Sequence, residues 1–390
     1  MKLDTTEFTL KGLEADGGLA LAFVRATPKQ EPQSAKKKAR TQPIAEPPRR
    51  LSLIFLHCVA SRTFAASSPP HIPSRSHTMY LRIDKETWLP TIEHLFEMDR
   101  AASNDAFTIV EAWCMDAPSH GRAAALNEKL LEAYPEGTTG LQWARGVQVL
   151  LKSGLIAGNN VVGVGHSAGA CIVLQSTEGY PLDRLPYSSL ILVEPGLMTR
   201  AMLNAVRFDK SSPLTCAAEA VRMRKDIWPS RAAAREWLAK RFPYRRWDAR
   251  VLDLFVEHAL RELPTAVYTD KGEGVTLAVT QKDEIAGYSH YEDAFAALDA
   301  LPGLCRAVPT HAIFGSVIDI VPPQLHACTI DASAGGLRSI VRIAGAGHLC
   351  VQEDPRAVAQ AIWGILHEDH VPPAPVPRVA TSEPTRDAKL

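Results

Sequence analysis

The chain has 390 residues, 46% of them hydrophobic and 22% charged, with 43 Lys and Arg against 43 Asp and Glu. This is an ordinary globular composition with material for a large core. The charge balance leaves no global field to draw the chain to nucleic acid or an anionic membrane. No segment approaches the ~18 uninterrupted apolar residues of a spanning helix, and the charged start MKLDTTEFTL argues against a signal peptide. The cysteines (Cys58, Cys114, Cys171, Cys216, Cys305, Cys328 and Cys350) are odd in number and lack paired spacing. They read as reduced thiols of an intracellular protein, and no C-x-x-C or H-E-x-x-H spacing suggests a metal.

In chain order, FTLKG and LALAFVRA read as two opening strands joined by a turn at Asp16-Gly17-Gly18. Residues 28–50 are Pro-rich, basic and aperiodic, which predicts a surface loop; its AKKKAR run reads as a solvated charge cluster. LSLIFLH is a buried strand, and residues 58–84 form a second aperiodic stretch, rich in Ser and Pro. TWLPTIEHLFEM predicts a helix, FTIVEAWCMD a strand, residues 138–153 a helix, NNVVGVG a strand, CIVLQST a helix and SSLILVEPG a strand. Such alternation favours a mostly parallel central sheet with helices on both faces. Residues 200–300 change character: VRMRKDIWPSRAAAREWLAKRF and ARVLDLFVEHALREL predict amphipathic helices, and VTLAVTQKDE a short strand or linker. Strands return at THAIFGS and SIVRIAG, PRAVAQAIWGILHE is a last helix, and residues 371–390 form a Pro-rich flexible tail. The expected organisation is a core of residues 1–199 and 301–370 with a helical insert at 200–300.

Residues 161–170, VVGVGHSAGA, raise the functional question. Gly163-Val164-Gly165-His166-Ser167-Ala168 fits G-x-G-x-x-G/A, a dinucleotide turn, and Glu194, ending the next strand, could hold a ribose hydroxyl. That fingerprint usually occupies the first strand-helix unit, whereas this one follows at least two others. Gly165-His166-Ser167-Ala168-Gly169 also fits G-x-S-x-G, the sharp strand-to-helix turn that lifts a serine above the sheet. The flanking glycines are needed because side chains there would collide, and the N–H of Ala168 is left at a helix start to bind an oxyanion.

A serine nucleophile needs a base, and the base an orienting acid, in the chain order Ser, Asp or Glu, His. GSVIDIVPP supplies Asp319 after one strand and AGAGHLCVQEDP supplies His348 after the next. Both lie where the C-terminal edge of a parallel sheet builds its sites. Glu194 is the alternative acid. His166 reads as a packing or pocket-wall residue, and His120-Gly121 as a tight turn.

GHSAG, SHGR after WCMDAP, DIVPP and GAGHLCVQEDP together resemble the α/β-hydrolase fold superfamily. LHC…KETWLPTIEHLF, WCMDAPSHGRAAALNE and LILVEPG resemble, within it, fungal hydrolases of the peroxisomal-lipase and toxin-biosynthesis type. The resemblance implies a helical cap over the site, which fits residues 200–300, with Trp228, Trp237 and Trp247 as wall or cap core. It also implies a second oxyanion N–H at Cys58 or Val59. The family passes quickly from that strand to a helix; here residues 58–84 intervene.

The expected activity is cleavage of an ester or thioester of a small molecule, with a lipid or acyl substrate favoured, through Ser167, His348 and Asp319 and without a cofactor. The alternatives are other chemistry on this fold (acyl transfer, epoxide or C–C hydrolysis), an NAD-dependent oxidoreductase, or a ligand-binding protein without catalysis. Ala388-Lys389-Leu390 resembles the peroxisomal address Ser-Lys-Leu, which makes the peroxisomal import receptor an expected partner and the cytoplasm the alternative location.

Overall fold

A computed structural model describes residues 3–29, 48–59, 83–102, 106–206, 221–222, 225–287 and 290–371. Most of the 28–50 and 58–84 stretches, Cys216 and the tail with Ala388, Lys389 and Leu390 lie outside the described residues.

The strands of the core are β1 (Leu3–Lys11), β2 (Ala20–Pro28), β3 (Arg49–Leu56), β4 (Phe107–Met115), β5 (Asn160–His166) and β6 (Ser189–Val193). Three short strands follow, β7 (Ile227–Trp228), β8 (Leu260–Glu262) and β9 (Val275–Leu277), before β10 (Thr310–Gly315) and β11 (Ser339–Ile343) complete the core. The main sheet runs β1-β2-β4-β3-β5-β6-β10-β11. It is parallel from β4 to β11 and antiparallel where β1, β2 and β4 meet.

The apolar strand runs suit burial on both faces, because successive side chains alternate between them. Leu53 and Phe55 of β3 point to one layer with Val162 and Val164 of β5, covered by the helices Leu89–Ala101 and Pro355–His370. Ile54 and Leu56 point to the other with Leu190 and Leu192, covered by the helices Gly140–Lys152, Ala168–Gln175 and Glu292–Ala307. At ~25 cal/mol per Å² of apolar surface removed from water, these two layers supply most of the drive to fold. The helix Gly140–Lys152 starts on a capping box: Thr139 Oγ1 accepts from Gln142 N, and Gln142 Oε1 accepts from Thr139 N.

The segment between β6 and β10 is less helical than expected, and the short strand read in VTLAVTQKDE is present as β9. The helices Arg231–Ala239 and Ala249–His258 are present, but β7, β9 and β8 form a small antiparallel sheet. ALREL, expected to continue a helix, leaves it at His258 and enters β8. The helix Glu292–Ala307 belongs to the core layer instead, packing Ala297, Leu301 and Leu304 with Ile172 and Leu174. Trp228 and Trp247 are buried in an apolar cluster that joins the insert (Val251, Phe255) to the core (Cys58, Leu349), and Trp237 packs at its edge. None of the three tryptophans lines the cleft over Ser167, so their place is cap core rather than cleft wall.

Candidate active site

Sheet order brings three loops together: the chain after β3, the turn after β5 and the loop after β6 lie side by side, and the loop after β11 folds over them. Ser167 joins β5 to the helix Ala168–Gln175 with φ 55° and ψ −115°. A non-glycine residue held there stores on the order of 1–3 kcal/mol of strain. Neighbouring bonds enforce it: Ser167 N donates to Val193 O at 2.9 Å, and Gly196 N donates to Ser167 O at 3.2 Å. A Cβ at Gly165 would strike Gly169 O and the backbone of Ala170, and one at Gly169 would strike Leu56 O and His57 O. The helix can therefore press onto β3 and β5 only if both positions lack side chains.

His348 lies in the loop after β11, its ring buried. Its Nε2 is 3.1 Å from Ser167 Oγ and its Nδ1 is 3.0 Å from Glu194 Oε2. With Nδ1–H donating to Glu194, Nε2 is the acceptor for the serine proton. Glu194 itself has φ 47° and is tied by its N–H to Ile313 O on β10. Its Oε1 accepts from Gly315 N at 2.6 Å, and its Oε2 also accepts from His326 Nε2 at 3.1 Å. Burial alone would raise the Glu194 carboxyl, but the hydrogen bonds from His326 and His348 overcome it and hold the group well below the usual carboxylate range. Burial likewise disfavours a charged His348, yet Cys58 and Glu194 beside it favour the imidazolium and raise its pKa above the ordinary value.

The carboxylate that meets His348 is thus Glu194, the alternative acid, and not Asp319. Asp319 does not reach the imidazole: its Oδ1 accepts from the backbone N–H of Ile320 at 2.7 Å and of His348 at 3.0 Å. Its Oδ2 faces the guanidinium of Arg246 at 3.6 Å. The reason lies in what each oxygen meets locally. β6 lies beside β5 and β10 beside β11, so both carboxylates come near the ring, but the Asp319 carboxylate is turned onto the backbone N–H groups of its own loop and of His348. The dinucleotide reading gave Glu194 a ribose to hold; both of its oxygens are engaged within the protein instead.

Ala168, Val59, Ser167 and His348 line one cleft, and Cys58 is buried behind it. His57 fixes this wall: Nδ1–H donates to Cys58 O at 2.8 Å, and Nε2 accepts from Ala117 N at 3.0 Å. Burial lowers its pKa to about 4, so the ring stays neutral in this bridging tautomer. His57 belongs to the LHC stretch that carries the resemblance, without a role of its own there, and nothing in the sequence marked His326, whose partner is a carboxylate distant in the chain. His166 packs beside His348, its Nε2–H donating to His348 O at 2.8 Å. His120 precedes the helix Gly121–Leu126, where Gly121 has φ 49°, and lines the cleft. The chain re-enters the described core at Ile83, where Lys85 Nζ is buried between Asp116 Oδ2 at 2.8 Å and Glu86 Oε1 at 2.7 Å. Trp143, Ile172, Met198 and Leu325 give the cleft an apolar side; Asp283, His290 and Asp293 give it a polar one.

Among the described residues, no helix is long and apolar enough to cross a membrane. Over 95% of its length the chain superposes on the peroxisomal α/β-hydrolase Lpx1 of Saccharomyces cerevisiae, with a TM-score of 0.66 at 18% identity, covering 92% of that chain. It also matches the thioesterase domain of the curacin biosynthetic pathway, with a TM-score of 0.56 at 15% identity, over 92% of this chain and 99% of that one. At such identities the likeness is one of fold. In sequence, 110 residues are 33% identical to a type I acyl-CoA thioesterase of Penicillium brevicompactum, spanning 28% of this chain but only 23% of that protein. A further 26% identity over 128 residues links 33% of the chain to 44% of the abhydrolase domain-containing protein AFT2-1 of Alternaria alternata. The profile of the alpha/beta hydrolase family matches residues 53–361, most of the chain, and the protein belongs to that family.

Proposed function

We propose that this protein is a serine hydrolase that cleaves an ester or thioester through an acyl-enzyme, with Ser167, His348 and Glu194 as its triad. The observation that carries the reading is the continuous path from the strained Ser167 Oγ through His348 to Glu194, at 3.1 and 3.0 Å. His348 takes the serine proton as Ser167 attacks the carbonyl, and Glu194 holds the ring tautomer and offsets the charge that develops on it. His348 then returns the proton to the leaving alcohol or thiol, and a water activated by the same ring releases the acid.

The oxyanion is held by the N–H of Ala168 and by that of Val59. Because His57 draws the Cys58 carbonyl toward itself, the planar trans peptide turns the Val59 N–H the opposite way. This favours Val59 over Cys58 as the second donor. The mixed wall of the cleft suits a substrate with an apolar acyl group and a polar remainder. The acyl-CoA thioesterase among the relatives supports a thioester.

A fluorophosphonate probe should label Ser167, and a panel of aryl esters and acyl-CoA thioesters of graded length should reveal the acyl preference. Ser167→Ala is expected to abolish labelling and lower turnover by about 10⁶-fold. Labelling that survives Ser167→Ala refutes the reading. For location, we propose the peroxisome, through recognition of Ala388-Lys389-Leu390 by the import receptor. Removing Leu390 should turn punctate fluorescence of an N-terminally tagged chain diffuse, and unchanged puncta would overturn that assignment.

A further inference from the structure

We propose that Cys58, His166 and His348 form a site for a borderline-soft divalent cation such as Zn²⁺, which closes the enzyme reversibly by taking His348 away from Ser167. One donor atom from each of these buried residues lies within 4.8 Å of those of the other two. Thiolate and imidazole form the ligand chemistry that zinc prefers. With bonds of about 2.0–2.3 Å at tetrahedral angles, donor separations fall near 3.3–3.6 Å, so the side chains need close in by about 1 Å.

The hydrogen bonds show which atoms are free to coordinate. His166 spends its Nε2–H on His348 O, which leaves Nδ1 with a bare lone pair. That Nδ1 is buried and without a hydrogen-bond partner among the described residues. A buried ring nitrogen without a partner is one that a bound group would satisfy. His348 gives Nδ1–H to Glu194, so its own free lone pair is on Nε2, the atom now facing Ser167 Oγ. Glu194 becomes the carboxylate that orients a metal-bound imidazole from behind, an arrangement that strengthens the ligand. His348 lines the cleft, and the cleft is the entry path. On binding, the Cys58 S–H bond breaks, a sulfur–metal bond forms, and the proton leaves to solvent. No local spacing in the sequence betrays the set, because its members follow β3, end β5 and follow β11.

The binding claim stands on geometry alone; its inhibitory consequence rests on the triad proposed above. The test titrates the intact protein with Co²⁺, followed by the thiolate-to-cobalt charge-transfer band, and with Zn²⁺, followed by ester hydrolysis relative to each variant's own uninhibited rate. Wild type should show the band and lose activity with Zn²⁺. Ser167→Ala should keep the band. Losing a ligand should weaken binding at least as much as losing an orienting partner does, about 10–100-fold. Cys58→Ser should therefore lose the band and need at least about tenfold more Zn²⁺ for half-inhibition. If Cys58→Ser fails to fold, His166→Asn supplies the same comparison, with the band weakened. Zn²⁺ inhibition equal in wild type and Cys58→Ser, or no thiolate band in wild type, overturns the site. A cobalt band in a chain with no esterase or thioesterase activity would keep the site and sink the hydrolase reading.

Discussion

The loops after β6 and β10 each carry a carboxylate to the same rim of the sheet, and the two do different work. Glu194 points its oxygens at two imidazoles and one N–H, all convergent on the site. Asp319 points one oxygen at two backbone N–H groups and the other at an arginine of the insert. The first orients a ring; the second holds the loop on which that ring is carried. A strand-end position shared by both residues does not separate the roles. The deciding quantity is which donor each oxygen meets once β5, β6, β10 and β11 stand side by side.

The sharpest way to break this comparison is to neutralise each carboxylate in turn. Glu194→Gln keeps the shape but no longer offsets the imidazolium that forms during attack, and its amide can present N–H to the ring. Turnover should fall by about 10³–10⁴-fold with little change in KM, as when the orienting carboxylate of a serine protease is neutralised. Steady-state kinetics on a small aryl ester reads the effect. If Asp319→Asn instead costs the larger factor, the two roles are reversed.

A middle-sized effect is expected at His326. Its Nε2 donates to the same Glu194 oxygen as His348, and its ring stacks 4.3 Å from that of Phe314. His326→Phe preserves the stacking and removes one donor, with a loss of the order of a hydrogen bond to a charged group, about 1.5–3 kcal/mol. Part of that loss should appear in stability and part as about a tenfold drop in kcat. A variant with unchanged kcat and lowered Tm would make His326 a packing residue alone.

How much of this was legible in the sequence follows the same divide. The turn at Ser167 could be read because its constraint is local: two glycines flank the serine within five residues, and a Cβ at either would meet backbone. His348 could be read from chain order, since a glycine-rich loop after the last core strand has one histidine. The acid could not be fixed, because Asp319 and Glu194 satisfy the same local description and differ only in tertiary reach. In the insert, β9 falls in VTLAVTQKDE, read as a short strand or linker, but its partners β7 and β8 are two or three residues long and come from separate parts of the chain. Such strands are too short for their alternation to outweigh the helical pattern of ARVLDLFVEHALREL. The tryptophans mislead for a related reason: Trp228 and Trp247 are large and apolar enough to fill either a cleft wall or a core, and they fill the core.

Asp319→Ala sharpens the contrast on the stability side. It strips the backbone N–H groups of Ile320 and His348 of their acceptor, and a buried donor left unpaired costs about 1–3 kcal/mol. Tm should fall, and kcat should drop about tenfold as the loop carrying His348 loosens. Wild-type stability together with a kcat loss as large as that of Glu194→Gln would mean that Asp319 acts on the chemistry after all.

The smallest expected effect is at Arg246, which reaches from the insert to the core rim. Its guanidinium lies 2.8 Å from Glu353 Oε2 and 3.6 Å from Asp319 Oδ2, and its side chain is 37% exposed. Half-solvated pairs of this kind are worth about 0.2–1 kcal/mol. Arg246→Ala should therefore change kcat by no more than about threefold and shift Tm slightly. The double variant Arg246→Ala with Asp319→Ala tests whether the two side chains act as a unit, since contacting residues depart from additivity by about 0.5–3 kcal/mol. If Asp319 serves mainly as a backbone acceptor, the two effects add. Strong coupling would instead make the arginine of the insert part of what holds the His348 loop, and would tie the position of the cap to the geometry of the ring.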